Sequence, residues 1–308
     1  PARGGRADST NCSAEEADQD TERRTPKPMK LGAPGFIGAR LRQARESRGL
    51  SALALSDLIG KSTTAIYQYE NGEHAPRPEV AQKLADILRL PEAFFRKPLL
   101  REEPGTVFYR SMAAATMGAR TRAERRYEWL QEIVNYLREY VQFPQVNIPS
   151  FEVPDEAVRF SPEEIDDYAQ QCRRFWNLGD GPIGNVVQLL ENNGVIVTRE
   201  ELGAEKLDAF SEYCLDDQTP YVFLGADKNV ACRSRFDAAH ELGHLILHRK
   251  IKKAAIHRSV EHQLLEEQAD RFAGAFLLPA QTFANELYSA TLDAFKGASG
   301  FPVGRLNG

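Results

Sequence analysis

The chain has 308 residues, 42% hydrophobic and 27% charged, proportions of a soluble globular protein long enough for more than one core. A net charge of −5 excludes nucleic-acid binding through overall basicity, so any DNA contact must come from a local patch. Four scattered cysteines (Cys12, Cys172, Cys214, Cys232) form no C-x-x-C pair, no apolar run reaches membrane-spanning length, and the N-terminus lacks a signal-peptide core; these features predict a cytoplasmic protein without membrane contact.

Residues 1–34 are rich in Arg, Asp, Glu, Ser, Thr and Pro and almost free of large apolar side chains. Such a segment cannot offset its chain entropy and is predicted to be disordered. Met29 reads as nearer a natural start than Pro1. From Phe36 to Phe95 the pattern is one of short helices. Ile37, Leu41 and Ala44 mark the first, and Leu53, Leu55, Leu58 and Ile59 the second. Gly60 punctuates, Ser62 is the N-cap of a third helix over Thr63–Glu70, and Asn71-Gly72 ends it. Val80, Leu84, Ile87 and Leu88 mark a fourth, and Pro91 opens a short fifth.

A long helix is predicted over about 122–142, with Trp129, Ile133, Tyr136, Leu137 and Tyr140 recurring at three and four, before the proline-broken QFPQVNIPSFEVP. Another runs over about 162–176, and GDGPIGNVVQLLENNG reads as a turn and a helix. VIVT (195–198), AFSEYCL (209–215) and PYVFLG (220–225) read as strands. SRFDAAHELGHLILH (234–248) is a helix whose start is signalled by the S-x-x-D spacing of Ser234 and Asp237, and EEQADRFAGAFLLP is a helix stopped by Pro279.

LSDLIGKSTTAIYQYENG places two short helices about a glycine, the second opening with residues that can reach base edges. Between residues 36 and 90 eight Lys/Arg face six acids, a weak basic excess. A helical interaction bundle satisfies the same spacing. Leu58-Ile59-Gly60, Ser62, Ile66, Glu70-Asn71-Gly72 and Arg77-Pro78 resemble the Cro/XRE-type helix-turn-helix of phage repressors. The resemblance implies that Thr63, Thr64 and Gln68 face bases with Tyr67 nearby, that Ser62, Asn71 and Arg77 lie near phosphates, and that the protein reads an operator-like site as a homodimer. Gln can pair bidentately with adenine, whereas Thr reads less sharply.

His240 and His244 lie one turn apart on one helix face, about 5–6 Å between Cβ atoms, so both imidazoles can reach one Zn²⁺. Glu241, on the adjacent flank, can touch a metal-bound water and act as general base. With six histidines in the chain, an accidental His-Glu-x-x-His has a probability of roughly one in a hundred. A catalytic zinc site needs a third ligand. Ala269, Phe272, Ala273, Phe276 and Leu277 define a buried face with which Glu266 aligns, whereas Glu267 points sideways; Asp270, four residues after Glu266, can hydrogen-bond a ligand histidine. A solvated acidic face explains the same three acids.

GDGPIGNVVQLLENNGVIV, DAFS, SRFDAAHELGHLILH and EEQADRFAGAFLLP resemble the motifs of the ImmA/IrrE family of gluzincin-like metallopeptidases. The resemblance implies His240, His244 and Glu266 as ligands, Glu241 as base and Asp270 as a partner of the ligands, with Zn²⁺ as cofactor. His248 recurs in that motif and is read as a helix cap or a support for the ligands, at a point where the helix frays. His257, His262, Tyr213 and Tyr221 are alternatives for stabilising the oxyanion, and the strand at Tyr221–Leu224 could hold an extended substrate.

The predicted fold is mainly α with a small α+β domain. Disorder covers 1–34, a helix-turn-helix 35–98, a helical linker 99–150, a zincin-like peptidase domain with a small antiparallel or mixed sheet 151–295, and an irregular, truncated-looking tail 296–308. The expected function is a DNA-binding zinc endopeptidase that cleaves a transcriptional repressor or antitoxin in a stress or phage response. The alternative is a regulator or antitoxin that uses the peptidase fold as a sensor or interaction module.

Overall fold

The structure is a computed structural model that describes residues 32–100, 116–154, 159–200, 209–214, 216–226, 231–251, 259–280, 282–285 and 288. The segment 1–31, the tail 296–308, Cys12 and His257 lie outside the described residues.

The N-terminal unit comprises α1 (Gly38–Ser47), α2 (Ala52–Ile59), α3 (Thr63–Glu70), α4 (Pro78–Leu88) and a 3-10 turn at Glu92–Arg96. Ser51 and Ser62 cap α2 and α3 by accepting from the N–H groups of Ala54 and Ala65. Gly60 closes α2 at φ +69°, a left-handed conformation that a side chain would strain, and this sets the turn into α3. Leu41, Leu55, Ile59, Ile66, Leu84, Leu88 and Phe95 close the core. Arg45 holds Glu70 bidentately at 2.6 and 2.9 Å and so locks α1 to α3. The expected disorder of 1–34 does not extend to its end: Ala33 is buried and its N–H donates to the Pro76 carbonyl at 2.7 Å.

Helix α5 (Met117–Leu137) begins about five residues before the sequence predicts, at the Thr116 N-cap, and ends about five before. Its buried stripe is Ala119, Ala123, Tyr127, Gln131 and Val134. Of the stripe read from the sequence, Ile133, Tyr136, Leu137 and Tyr140 are instead exposed, whereas Trp129 packs edge-on against Phe94 of the N-terminal unit. The neighbouring sheet explains this. Tyr127 packs edge-on against Phe210, Tyr221 and Phe223, and the two alanines let the helix approach. The opposite side of α5 meets α1 through Arg40–Glu132, Gln43–Glu128 and Arg125–Glu46 contacts of 2.6–2.8 Å.

Beyond α5 come α6 (Pro162–Phe175), α7 (Val186–Asn192), β1 (Ile196–Glu200), β2 (Ala209–Cys214), β3 (Thr219–Gly225), α8 (Ala231–Gly243) and α9 (Ser259–Leu277). Ser161 and Glu164 form a full capping box at α6. The sheet order is β1-β3-β2, with β1 parallel and β2 antiparallel to β3. The fold is thus mainly helical with a small mixed sheet. Alternate residues face opposite layers. Phe210, Tyr221 and Phe223 meet α5, whereas Ala209, Val222 and Leu224 join a core with Ala238, Ala239, Leu242, Phe272 and Phe276 of α8 and α9. Because β3 is paired on both sides, the Tyr221–Leu224 strand cannot add an extended substrate, and that expectation fails.

Two further expectations fail in α8. The helix already begins at Ala231, so Ser234 lies inside it and does not start it. It does not fray at His248 but continues as a π-turn over His244–His248, all five residues buried. An i→i+5 turn underwinds the helix, which keeps His248 close to His244 instead of advancing past it. Among the described residues no helix is long and apolar enough to cross a membrane.

Candidate functional site

Helices α8 and α9 pack closely because Gly243 faces Ala269. A Cβ at Gly243 would lie 3.2 Å from Ala269 Cα and from Phe272 Cδ1. This approach brings His240 and His244 to Glu266. The two Nε2 atoms are 3.0 Å apart, and each lies within 3.4–3.5 Å of a Glu266 carboxylate oxygen. One potential ligand atom from each of the three residues lies within 4.8 Å of the others. Asp270 Oδ1 sits 2.8 Å from His240 Nδ1. A carboxylate only accepts, so His240 donates from Nδ1 and its Nε2 points into the cluster. Glu267 stays outside, its carboxylate accepting from Gln263.

Glu241 is 1% exposed, and its Oε1 has no hydrogen-bond partner among the described residues; nor has Oε1 of Glu266. Buried carboxylate oxygens without a donor among the described residues, beside two imidazole nitrogens, suit a cation, and the two-His, one-Glu donor set with a second buried glutamate beside it suits Zn²⁺. Without a metal, burial pushes the Glu241 carboxyl up to about 7, opposed by His240 and Ser211. Burial would lower His240, but Asp270, Glu266 and Glu241 outweigh it and raise the imidazole to about 10. Burial likewise opposes ionisation of Glu266, yet His240 and His244 hold its carboxyl well below the usual range.

His248 is 1% exposed, with Nδ1 3.0 Å from His244 Nδ1 and Nε2 2.9 Å from Gln268 Oε1. The residue therefore packs against His244, a candidate ligand, and is not a cap. The sequence reading missed Gln268, which is two residues from Glu266 and outside the stripe that identified it. It also missed Ser211, whose hydroxyl donates to the Glu241 carbonyl at 3.3 Å. Strand alternation puts Ser211 on the face of Ala209, toward α8, and could have found it. Of the oxyanion alternatives, Tyr221 is removed: it faces α5 and its hydroxyl donates to Asp217 Oδ2 at 2.6 Å. Tyr213 lies against the α8–α9 core, and His262 Nε2 is 4.0 Å from Glu266 Oε1.

In the N-terminal unit, Thr64 and Tyr67 are exposed and Gln68 is half-buried. The Ser62 hydroxyl caps α3. Thr63 turns toward α2, its Oγ1 3.1 Å from Ser56 Oγ, so it braces the turn and is the least free of the residues expected to face bases. Asn71 accepts from Arg42 at 2.6 Å, which adds a guanidinium that the sequence reading left out. Arg77 is exposed at the start of α4.

No curated protein and no solved structure matches the chain. The family described as IrrE N-terminal-like domain matches residues 190–303, and the helix-turn-helix family matches residues 41–95. The chain therefore joins an XRE-type helix-turn-helix to an ImmA/IrrE-like domain.

Proposed function

We propose that the protein is a DNA-binding regulator whose ImmA/IrrE-like part is a zinc-dependent endopeptidase acting on a transcriptional repressor or antitoxin. The observation that carries this reading is the convergence of His240 Nε2, His244 Nε2 and Glu266 near Glu241, whose buried Oε1 has no partner among the described residues. His240, His244 and Glu266 would hold Zn²⁺, which when bound polarises a scissile carbonyl and acidifies a water. Asp270 orients His240 through Nδ1. Glu241 Oε1 takes the proton of the attacking water and passes it to the amide nitrogen, so a C–O bond forms as the C–N bond breaks. Burial raises the Glu241 carboxyl in the metal-free site, and a cation bound beside it would favour the carboxylate, the form that accepts the water's proton.

An extended substrate needs an unpaired strand edge. Among the described residues the outer edge of β2 is unpaired, and Ser211 on this strand touches Glu241. Thr64, Tyr67, Gln68, Arg42 and Arg77 form the DNA-facing surface, and Ser62 and Asn71 fix its geometry. The helix-turn-helix thereby brings the peptidase to an operator.

The test is incubation of the zinc-loaded protein with repressors and antitoxins, alongside Glu241→Gln. Cleavage by the wild type and none by the variant, with zinc content and DNA binding unchanged, supports the reading. Induction of the regulated genes that survives Glu241→Gln would instead mark a non-proteolytic regulator.

A further inference from the structure

Gln268, on α9, touches neither His240 nor Glu266 in the contacts described above, yet it is 3% exposed and its amide oxygen lies 2.9 Å from His248 Nε2. His248 in turn places Nδ1 3.0 Å from Nδ1 of His244. The three side chains form a row whose far end is His244 Nε2, beside His240 and Glu266.

We infer that Gln268 is a positioning residue that sets the tautomer of His244 through His248, so that the lone pair of His244 Nε2 is presented to the metal. The inference rests on the reading of His244 as a zinc ligand. An amide oxygen accepts and cannot donate, so His248 must carry its proton on Nε2. A neutral imidazole carries a single N–H, and His248 Nδ1 is then an acceptor. Only His244 Nδ1–H can supply the proton in the 3.0 Å contact, which leaves His244 Nε2 unprotonated. The opposite tautomer of His248 would set a nitrogen lone pair against the amide oxygen in a buried site.

The π-turn makes this row geometrically available. By underwinding between His244 and His248 it holds the second imidazole against the first and also lets it meet Gln268. His240 reaches the same end by a different route, donating its Nδ1 proton directly to the half-exposed Asp270. The two ligand histidines are thus oriented by unlike partners, one a carboxylate near solvent, the other a buried imidazole that is itself held by an amide oxygen.

The test uses the full chain labelled with ¹⁵N-histidine. Imidazole nitrogen shifts report the tautomer of each histidine in the metal-free and Zn²⁺-loaded protein. Wild type should show His248 protonated on Nε2 in both states. Gln268→Met, close in shape but without the amide acceptor, should lose that fixed tautomer and lower Zn²⁺ affinity on the order of 10–100-fold in competition with a chromophoric chelator. His248 protonated on Nδ1 in the wild type overturns the inference, whether or not the variant folds. So does a fall in affinity with the tautomers unchanged, which would mark a packing effect alone. Wild type showing the expected tautomers but no Zn²⁺ binding would uphold the relay and overturn the zinc reading, so the two failures are distinct.

Discussion

The Nε2 atoms of His240 and His244 stand 3.0 Å apart, closer than two lone pairs tolerate without a cation or a proton between them. Without a metal the site is left to protons, and the stability of the metal-free protein should depend on pH. His240 is raised from 6.5 to about 10, so its contribution is full below 6.5 and lost as pH rises toward 10. Glu241 is raised from 4.5 to about 7, so the folded state binds its proton more tightly and stability falls as pH rises through that window. Glu266, lowered, acts in the opposite sense and only under acid conditions. Chelator-treated protein should melt at a lower temperature at about pH 9 than at about pH 6, and Zn²⁺ should narrow the difference. Equal melting temperatures in the two buffers would contradict the described site electrostatics.

Glu241→Gln removes the buried carboxylate but keeps its shape. In the metal-free state above pH 7 the variant should be more stable than the wild type, by an amount of order 3 kcal/mol from the rise of the carboxyl to about 7. Below pH 4.5, where the wild-type carboxyl is protonated in both states, the gain should vanish. Paired thermal melts across this range read the effect directly, and a gain independent of pH would speak against burial as its cause.

Gly243→Ala probes the helix contact that assembles the site. The new Cβ would press on Ala269 Cα and Phe272 Cδ1, both at 3.2 Å, and α8 and α9 must part. The expected cost is about 1–3 kcal/mol of stability, seen in denaturant unfolding, together with weaker Zn²⁺ binding because Glu266 moves from the histidines. Unchanged stability and affinity would show that the contact is slack.

Much of this architecture is legible in the sequence because its signals are local. The Ser62 cap, Gly60 and the Thr63–Glu70 helix are set within a few residues, and the three strands announce themselves as short runs of apolar, strand-prone residues. Glu266 is found because it shares a stripe with Ala269 and Ala273. What escapes is set by partners distant along the chain. The apolar side of α5 is misread because the aromatic face of the sheet selects Tyr127 over Tyr136 and Tyr140. The central place of β3 follows from pairing order, which no single strand encodes. The π-turn at His244–His248 and the approach of Gln268 depend on how α9 docks, and the start of α8 at Ala231 overrides the cap-like spacing of Ser234.

The DNA-facing helix offers a sharper division than the sequence allowed. Gln68→Ala should relax sequence selectivity by about 1–3 kcal/mol at one base pair, whereas Arg77→Ala should weaken all sites alike and shallow the salt dependence. Thr63→Ala, which unties α3 from Ser56, should lower thermal stability more than it alters sequence preference. Selection from a randomised duplex pool, followed by titration at several salt concentrations, separates these outcomes. A Thr63→Ala variant with altered base preference and wild-type stability would reverse the assignment.

The central claim is that His240, His244 and Glu266 form one zinc site. Elemental analysis by mass spectrometry of the full chain, purified without added metal, tests it most directly when paired with Glu266→Gln. The account predicts one zinc per wild-type chain and a large loss in the variant at unchanged helical content. A wild-type chain that carries no zinc and takes up none from Zn²⁺-containing buffer, or a Glu266→Gln variant that holds it as firmly, would contradict the account.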